Sequence, residues 1–442
     1  MGLLDIAKGI SKPLPREIIA GRGFFFAPAP FVSLKVTVRQ PVDDRRMEQA
    51  VRAVEKAHPI INNVVVRRDG KLYFEHKGHQ VKLFVHNVQQ TESWEEVLVR
   101  EVCKTVNIEE EPGVFVHVVD NNHSFDVIVI SHHIYGDGVS LKQLLSDLLY
   151  CYATGKTVAV REPMTGLSKY HMPGDYHVAK DRKEKFYNLI DLWATRNKVF
   201  TFEEFAQLNA VHHQTVGYGM EYVTVTGEQL RRLKGTCKEH NVTMNSAITT
   251  AILAEVQGPQ GAQAIVAANT RPLFGMDSCV GFANFASALN AYFVYDERYD
   301  FWENARAVDS VLADIKQNKA QLLETLYAFL SLNEDIFAAS YLAKYGMYMD
   351  MEILMAMMDA LNVGNTADAF SVSNLGLADF ECASENFQIT DCCFIPNMDL
   401  GTDYKFGVIS IENCLSIVLS YSSKKINEQQ ACRILRNIVN KF

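Results

Sequence analysis

A buried strand that runs through two histidines into a glycine-rich turn and a helix constrains this chain more than any other feature. Residues 127–131 form an almost continuous apolar run of strand length. The turn 136–138 has the sequence Gly-Asp-Gly, and apolar residues then recur at helical spacing until Gly155. The pattern predicts a strand, a short loop and an amphipathic helix, an arrangement that holds polar side chains on a rigid support.

The two histidines of this loop, His132 and His133, are candidates for proton transfer. A neutral imidazole, with an unperturbed pKa of about 6.5, can take a proton from a hydroxyl or an amine. A buried structural histidine is the alternative for both, and it is the stronger interpretation of His132. Because Gly-Asp-Gly is a poor helix interior, we expect Asp137 to cap the following helix or to pair with a buried arginine.

Residues 132–138 also fit the pattern HHxxxDG. The segment resembles the superfamily of chloramphenicol acetyltransferase-like enzymes, which includes nonribosomal-peptide condensation domains, alcohol acetyltransferases, and polyketide-associated and wax-ester acyltransferases. The resemblance implies that His133 is the general base and that His132 supports it. It also implies that Asp137, followed by Gly138, organises the loop by pairing with an arginine.

Segments of the second half extend the resemblance over roughly residues 30–440. A strand ending in Asn-Thr-Arg-Pro, the segment 280–285 (Val-Gly-Phe-Ala-Asn-Phe) and a later Ser-Asn-Leu-Gly follow in the order of condensation-like acyltransferases. The arginine, Arg271, is the expected partner of Asp137, since a buried carboxylate needs a charge; a solvated loop arginine is the alternative. The Asp-Phe-Gly-Trp-Gly signature of plant acyltransferases is absent, which argues against that subfamily.

Two further pairs of residues are weaker candidates. Ser373 and Asn374 could donate hydrogen bonds to the oxyanion formed when a thioester carbonyl is attacked, although the same residues favour a plain turn. Lys424 and Lys425 are candidates for cofactor phosphates, with a solvated pair as the more ordinary interpretation. The second histidine pair, His212-His213, lacks a following Asp-Gly, and we expect it in a linker or at the surface.

Strands and helices alternate along both halves of the chain, which predicts a mixed α/β protein. With 442 residues, the chain is too long for one ordinary core. The resemblance implies two chloramphenicol acetyltransferase-like subdomains arranged as a pseudo-dimer, with an active-site channel between them. We place these subdomains at residues 1–160 and 217–442, joined by a crossover at 161–216.

Composition excludes several classes of function. The net charge of −9 and the lack of a basic run argue against nucleic acid as a partner. The nine cysteines form no disulfide framework, no apolar run is long enough to span a membrane, and the N-terminus lacks signal-peptide features. We therefore expect a cytoplasmic protein. No metal is expected, because adjacent histidines on a strand face opposite ways and no ligand cluster accompanies them.

The resemblance thus implies an acyltransferase that moves an acyl group from a CoA thioester to a hydroxyl or amine of a small molecule. No permanently bound cofactor is expected; the thioester is a co-substrate. One alternative is a stand-alone nonribosomal-peptide-type condensation enzyme that uses carrier-protein thioesters and forms an amide or ester. The absence of a carrier or adenylation domain slightly favours CoA. A second alternative is a non-catalytic binding or scaffold relative.

Overall fold

Strands and helices are interleaved along the computed structural model of the chain, which describes residues 17–18, 21–87, 92–161, 176, 178–276, 281–361, 369–380, 382, 387–398 and 402–442. The strands are β1 (Glu17–Ile18), β2 (Phe31–Val38), β3 (Val64–Arg68), β4 (Lys71–Glu75), β5 (Lys82–His86), β6 (Val114–Asp120), β7 (Phe125–His132), β8 (Gly219–Thr226), β9 (Ala262–Asn269), β10 (Ala286–Phe293), β11 (Ala369–Leu377), β12 (Ile389–Ile395), β13 (Tyr404–Ile411) and β14 (Cys414–Tyr421). The helices are α1 (Asp44–Ala57), α2 (Trp94–Val102), α3 (Gly138–Thr154), α4 (Lys180–Ala194), α5 (Phe202–Thr215), α6 (Gly227–Glu239), α7 (Met244–Val256), α8 (Phe301–Gln317), α9 (Lys319–Ser331), α10 (Glu334–Lys344), α11 (Met351–Leu361) and α12 (Glu428–Asn440).

The first half of the chain is built on a five-stranded sheet in the order β12-β2-β7-β6-β5. Its central strand, β7, is buried along its whole length, as the apolar run predicts. Helix α3 follows β7 after a short loop, begins at the cap residue Asp137 and ends at Gly155 in the left-handed region. The predicted hairpin of β6 and β7 and the helix behind the histidine loop are therefore confirmed.

The second half contains a six-stranded sheet in the order β10-β9-β11-β13-β14-β8. Strand β11 lies in its interior, parallel to both β9 and β13. Helices α9, α10 and α11 come from this half, but their apolar side chains, among them Tyr327, Phe337 and Ile353, join the hydrophobic core of the first half. The two halves therefore share a large apolar contact.

Strand β12 lies late in the chain and completes the first sheet. It runs antiparallel to β2, with Ile389 opposite Val38 and Ile395 opposite Ser33. An ion pair also links the two strands: the ammonium of the buried Lys35 on β2 lies 2.8 Å from a carboxylate oxygen of Asp391 on β12. Strand β12 thus lies within residues 217–442 but is hydrogen-bonded into the first sheet. The boundaries of the two subdomains stay a prediction.

The crossover 161–216 contains two helices, α4 and α5, and helix α8 ends at the cap residue Asn318, directly before α9. His212 lies in helix α5 of the crossover, as the linker alternative predicts, but it is not at the surface: it is buried, with its Nδ1 2.7 Å from the Tyr345 hydroxyl. No helix of the described residues is long and apolar enough to cross a membrane.

Candidate active site

The histidine loop is fixed by backbone contacts on both sides. The N–H of His132 donates to the carbonyl of Gly113 at 2.7 Å, and that of His133 donates to the carbonyl of Pro30 at 2.8 Å. Gly21 approaches so closely that a Cβ there would lie 2.7 Å from the Ile134 carbonyl oxygen. The loop therefore has little freedom, as a site that positions reacting groups requires.

The hydrogen bonds of His133 determine which of its nitrogens carries the proton. Nδ1 lies 3.1 Å from the Gly136 carbonyl oxygen, which can only accept. The Asn284 amide donates to the His133 carbonyl at 2.8 Å and lies 3.1 Å from Nδ1. We assign the proton to Nδ1, because Nδ1–H then donates to the Gly136 carbonyl while the Asn284 amide donates to the His133 carbonyl. Nε2 is then left with its lone pair, as a base requires.

Burial also keeps the His133 ring neutral. It lowers the pKa of His133, and the nearby Asp137 carboxylate opposes this only in part. The ring of Phe24 stacks on the imidazole with a centroid distance of 4.2 Å and an interplanar angle of 22°. His133 keeps 9% of its surface accessible, compared with 1% for His132.

His132 lies in a different environment from its neighbour. It is 1% exposed, and its Nδ1 accepts a hydrogen bond of 3.3 Å from the backbone N–H of Ile134. Burial lowers the pKa of His132 to about 3, and Nε2 has no hydrogen-bond partner among the described residues. These observations fit a support for the loop, the role that the resemblance implies.

Asp137 combines the two structural functions that its sequence position suggests. Its Oδ1 accepts the backbone N–H of Ser140 at 3.0 Å, which caps helix α3. Both carboxylate oxygens also contact the guanidinium of Arg271, at 2.7 and 3.1 Å. Burial raises the pKa of the Asp137 carboxyl, but Arg271 and the backbone donors outweigh it and lower the pKa below its usual value. The buried pair joins the two halves of the chain.

The segment from Phe282 to Phe285 completes the site from the second half. The Phe285 N–H donates to Asp137 at 2.8 Å, and the Ala283 N–H donates to the Ser140 hydroxyl at 3.0 Å. Asn284 is 6% exposed and holds the His133 carbonyl. The resemblance pointed to the segment 280–285 but gave no function for Asn284. Val280, the first residue of that segment, lies outside the described residues. The polar residue within an apolar segment was the only available signal.

Ser373 and Asn374 lie on β11, which contacts the start of helix α3. A Cβ on Gly138 would lie 2.6 Å from the Leu375 side chain, so this strand and the base-bearing loop pack closely. The Asn374 amide donates to Asn245 Oδ1 at 2.9 Å, and its own oxygen accepts the Gly376 N–H. Within the described part of the chain, neither candidate hydrogen-bonds to His133, and their oxyanion function stays a prediction.

The lysine pair lies in the turn after β14, where both residues are exposed. Lys425 forms an ion pair of 2.7 Å with Asp403. A contact of Lys424 or Lys425 with a phosphate stays a prediction. Among the described residues, no group of three or more His, Cys, Asp or Glu side chains is placed to hold a metal ion.

Replacing Gly136 with alanine is expected to lower the free energy of unfolding by about 1–3 kcal/mol, because the new Cβ overpacks a filled core. It would lie 2.6 Å from a ring carbon of Phe282, which is only 1% exposed. Urea denaturation followed by circular dichroism measures the change. Gly235→Ala is the matched control: its Cβ meets nothing within 4 Å inside helix α6, so a small gain is expected. Equal stability of Gly136→Ala and the wild type would contradict the tight contact.

Comparison with known proteins identifies the family to which the chain belongs. The sequence model of the condensation-domain family matches residues 29–342, more than half of the chain. The nonribosomal peptide synthetase kk1B of Curvularia clavata is 21% identical over 264 residues, which cover 56% of this chain and 2% of that protein. The chain therefore spans a small fraction of this curated relative.

Solved structures share the fold at low sequence identity. The first condensation domain of the calcium-dependent antibiotic synthetase, in complex with substrate analogue 3a, has a TM-score of 0.64 at 10% identity and covers 97% of this chain and 96% of its own. A mutant of the starter condensation domain of rhizomide synthetase, in complex with C8-CoA and Leu-SNAC, has a TM-score of 0.56 at 11% identity, with 94% and 88% covered. These similarities confirm the predicted α/β fold of two chloramphenicol acetyltransferase-like subdomains, and the matched model shows that the chain belongs to the condensation-domain family.

Proposed function

We propose that this protein is an acyltransferase that transfers an acyl group from a thioester to a hydroxyl or amine, with His133 as the general base. The observation that supports it most is the state of the His133 ring. Nδ1 is directed at the Gly136 carbonyl, and burial keeps the ring uncharged, which leaves Nε2 to accept a proton. A correctly oriented neutral base contributes typically 10²–10⁴-fold to such a reaction.

In the proposed reaction, Nε2 of His133 takes the proton of the acceptor O–H or N–H while the acceptor attacks the thioester carbonyl. The C–S bond stays intact in the resulting tetrahedral intermediate, whose oxyanion needs hydrogen-bond donors. Ser373, Asn374 or nearby backbone N–H groups are the candidates. Collapse of the intermediate breaks the C–S bond, and the leaving thiolate receives the proton from the imidazolium. Asp137 and Arg271 keep the loop in place and exchange no proton.

The thioester donor is proposed to be an acyl-CoA, and a carrier-protein thioester is the alternative. The starter condensation domain with bound C8-CoA indicates that this fold can accommodate CoA. The relative kk1B is a nonribosomal peptide synthetase, which supports the alternative, with an amide or ester as product. A non-catalytic scaffold is less consistent with His133, whose ring is held in place and whose Nε2 keeps a lone pair that can accept a proton.

A mass-spectrometric assay tests this proposal. Purified protein is incubated with a pool of alcohols and amines and with either a panel of acyl-CoAs or acylated carrier proteins. Mass detection avoids interference from the nine cysteines in thiol-dye assays. Products formed from the CoA panel support the proposal, and products formed only from carrier proteins support the condensation enzyme. Failure of both donors to give any product would contradict an acyltransferase and favour the scaffold.

The pH dependence of the reaction should report the lowered pKa of His133. A general base acts in its deprotonated form, so kcat/KM falls only where the imidazole becomes protonated. Because burial lowers the pKa of His133, we expect the acid-side decrease of kcat/KM to have its midpoint below the pKa of about 6.5 of an ordinary imidazole. Initial rates measured across pH 4.5–8.5 with an alcohol acceptor, which does not titrate in this range, would check this. A rate with the alcohol that still increases between pH 7 and 8 would contradict a buried neutral base.

A further inference from the structure

Two half-buried phenylalanine rings continue the surface of His133 away from its loop. Phe24 stacks on the imidazole, and Phe329 of helix α9 lies 6.2 Å from Phe24 at an angle of 21°. Phe337 of helix α10 stacks on Phe329 at 5.5 Å and is 5% exposed. Phe24 and Phe329 both keep some accessible surface, whereas Phe337 backs the stack from the core.

The stack is held in place by contacts that involve the backbone of Gly23. A Cβ at Gly23 would lie 3.0 Å from a ring carbon of Phe329, so the absence of a side chain allows this ring to approach. The Tyr341 hydroxyl donates to the Gly23 carbonyl at 2.9 Å and ties helix α10 to the same turn. Both halves of the chain thus contribute to one apolar surface that starts at the base.

We propose that Phe24 and Phe329 form an apolar wall for a hydrocarbon group of the substrate, an acyl chain or an aryl group of several carbons. This inference rests on the proposed function of His133. One face of the imidazole is covered by Phe24, so the reacting group approaches Nε2 near the plane of the ring. Atoms a few bonds from the reacting centre then meet Phe24 first and Phe329 next.

The chemistry of the wall selects against charge. A charged or strongly polar substituent would lose its hydration against the two rings without gaining a partner. A buried methylene, by contrast, gains roughly fourfold in affinity, and flat groups can also stack on the rings. The hydrocarbon group can belong to the acyl donor or to the nucleophile, and both sources present the same surface to the wall.

Phe329→Ala tests the wall through two substrate series. One series uses acetyl, hexanoyl and phenylacetyl thioesters of CoA, or of the carrier protein if that is the active donor, with a fixed acceptor. The other uses ethyl, hexyl and phenethyl alcohols or amines with an acetyl donor. We expect the variant to lose at least tenfold in kcat/KM for the hexyl-sized and aryl members of one series, with the two-carbon members unchanged within threefold. The series that loses identifies the source of the group.

Two further variants make this test specific. Phe84→Ala removes a phenylalanine from β5, in the edge strand of the first sheet, and should change neither series. Phe329→Leu keeps the bulk but not the flat ring. In the affected series it should retain the preference for the hexyl-sized member and lose that for the aryl member. An equal loss for all members of both series, or no loss in either, would overturn the wall.

Equilibrium binding separates this inference from the proposed function. Ketone analogues of acetyl- and hexanoyl-N-acetylcysteamine, in which a methylene replaces the sulfur, together with ethylamine and hexylamine, are titrated calorimetrically without turnover. We expect the hexyl-sized member of at least one pair to bind the wild type at least tenfold more tightly, and Phe329→Ala to abolish the difference. That result would support the wall even if no acyl transfer were found, and equal binding within both pairs would overturn it.

Discussion

Replacement of Arg271 with methionine should lower the free energy of unfolding by about 3–5 kcal/mol, because it leaves the buried Asp137 carboxylate without its charge partner. Arg271 is 1% exposed and contacts both carboxylate oxygens. The backbone N–H groups of Ser140 and Phe285 remain, but they carry no full charge to balance the carboxylate. Urea denaturation of the variant and the wild type gives the difference in free energy of unfolding.

A double-mutant cycle shows whether this loss comes from the pair itself. The double variant Asp137→Asn/Arg271→Met should lose less stability than the two single variants added together, since neither charge then remains buried alone. The matched control is Arg298→Met, which removes an arginine from the exposed pair with Asp296 and should leave stability unchanged. Additive losses in the cycle would contradict a direct Asp137–Arg271 coupling.

Replacement of His133 with alanine should lower kcat/KM for acyl transfer by roughly 10²–10⁴-fold, the usual contribution of a general base. The neighbouring His132 is not a substitute base, because it is buried and its pKa is lowered to about 3. Initial rates of product formation, followed by mass spectrometry with saturating donor, measure the effect.

The second histidine pair provides the control for this prediction. His213→Ala removes the same side chain from helix α5, outside the candidate site, and should leave kcat/KM unchanged. Thermal unfolding of both variants detects any loss of structure. A His133→Ala enzyme that folds and retains more than half of the wild-type rate would exclude His133 as the base.

Local sequence was sufficient to predict the elements around the histidine loop. The apolar run into His132, the Gly-Asp-Gly turn and the helical spacing up to Gly155 each depend on neighbouring residues, and the structure has them as predicted. The partnership of Asp137 with Arg271 is different. A buried carboxylate requires a charge, but only the resemblance indicated which arginine supplies it.

Other parts of the site depend on packing between distant segments, which one sequence does not reveal. Phe24 reaches His133 from the segment before the first sheet, and no sequence motif links the two residues. Asn284 holds the His133 carbonyl across 151 positions of sequence. On helix α11, Met357 is buried, whereas Met351, Met355 and Met358 are each more than half exposed. Helix α11 has enough apolar surface for both a buried and an exposed face.

The place of β12 at the edge of the first sheet has a consequence for the synthesis of the chain. A ribosome releases β2 and β7 early, but the strand that covers the outer edge of β2 begins only at residue 389 of 442. Until then the nascent chain presents an unpaired strand edge, which other chains can bind. Chains that stop before residue 389 would contain the complete histidine loop and still lack one strand of the sheet that supports it.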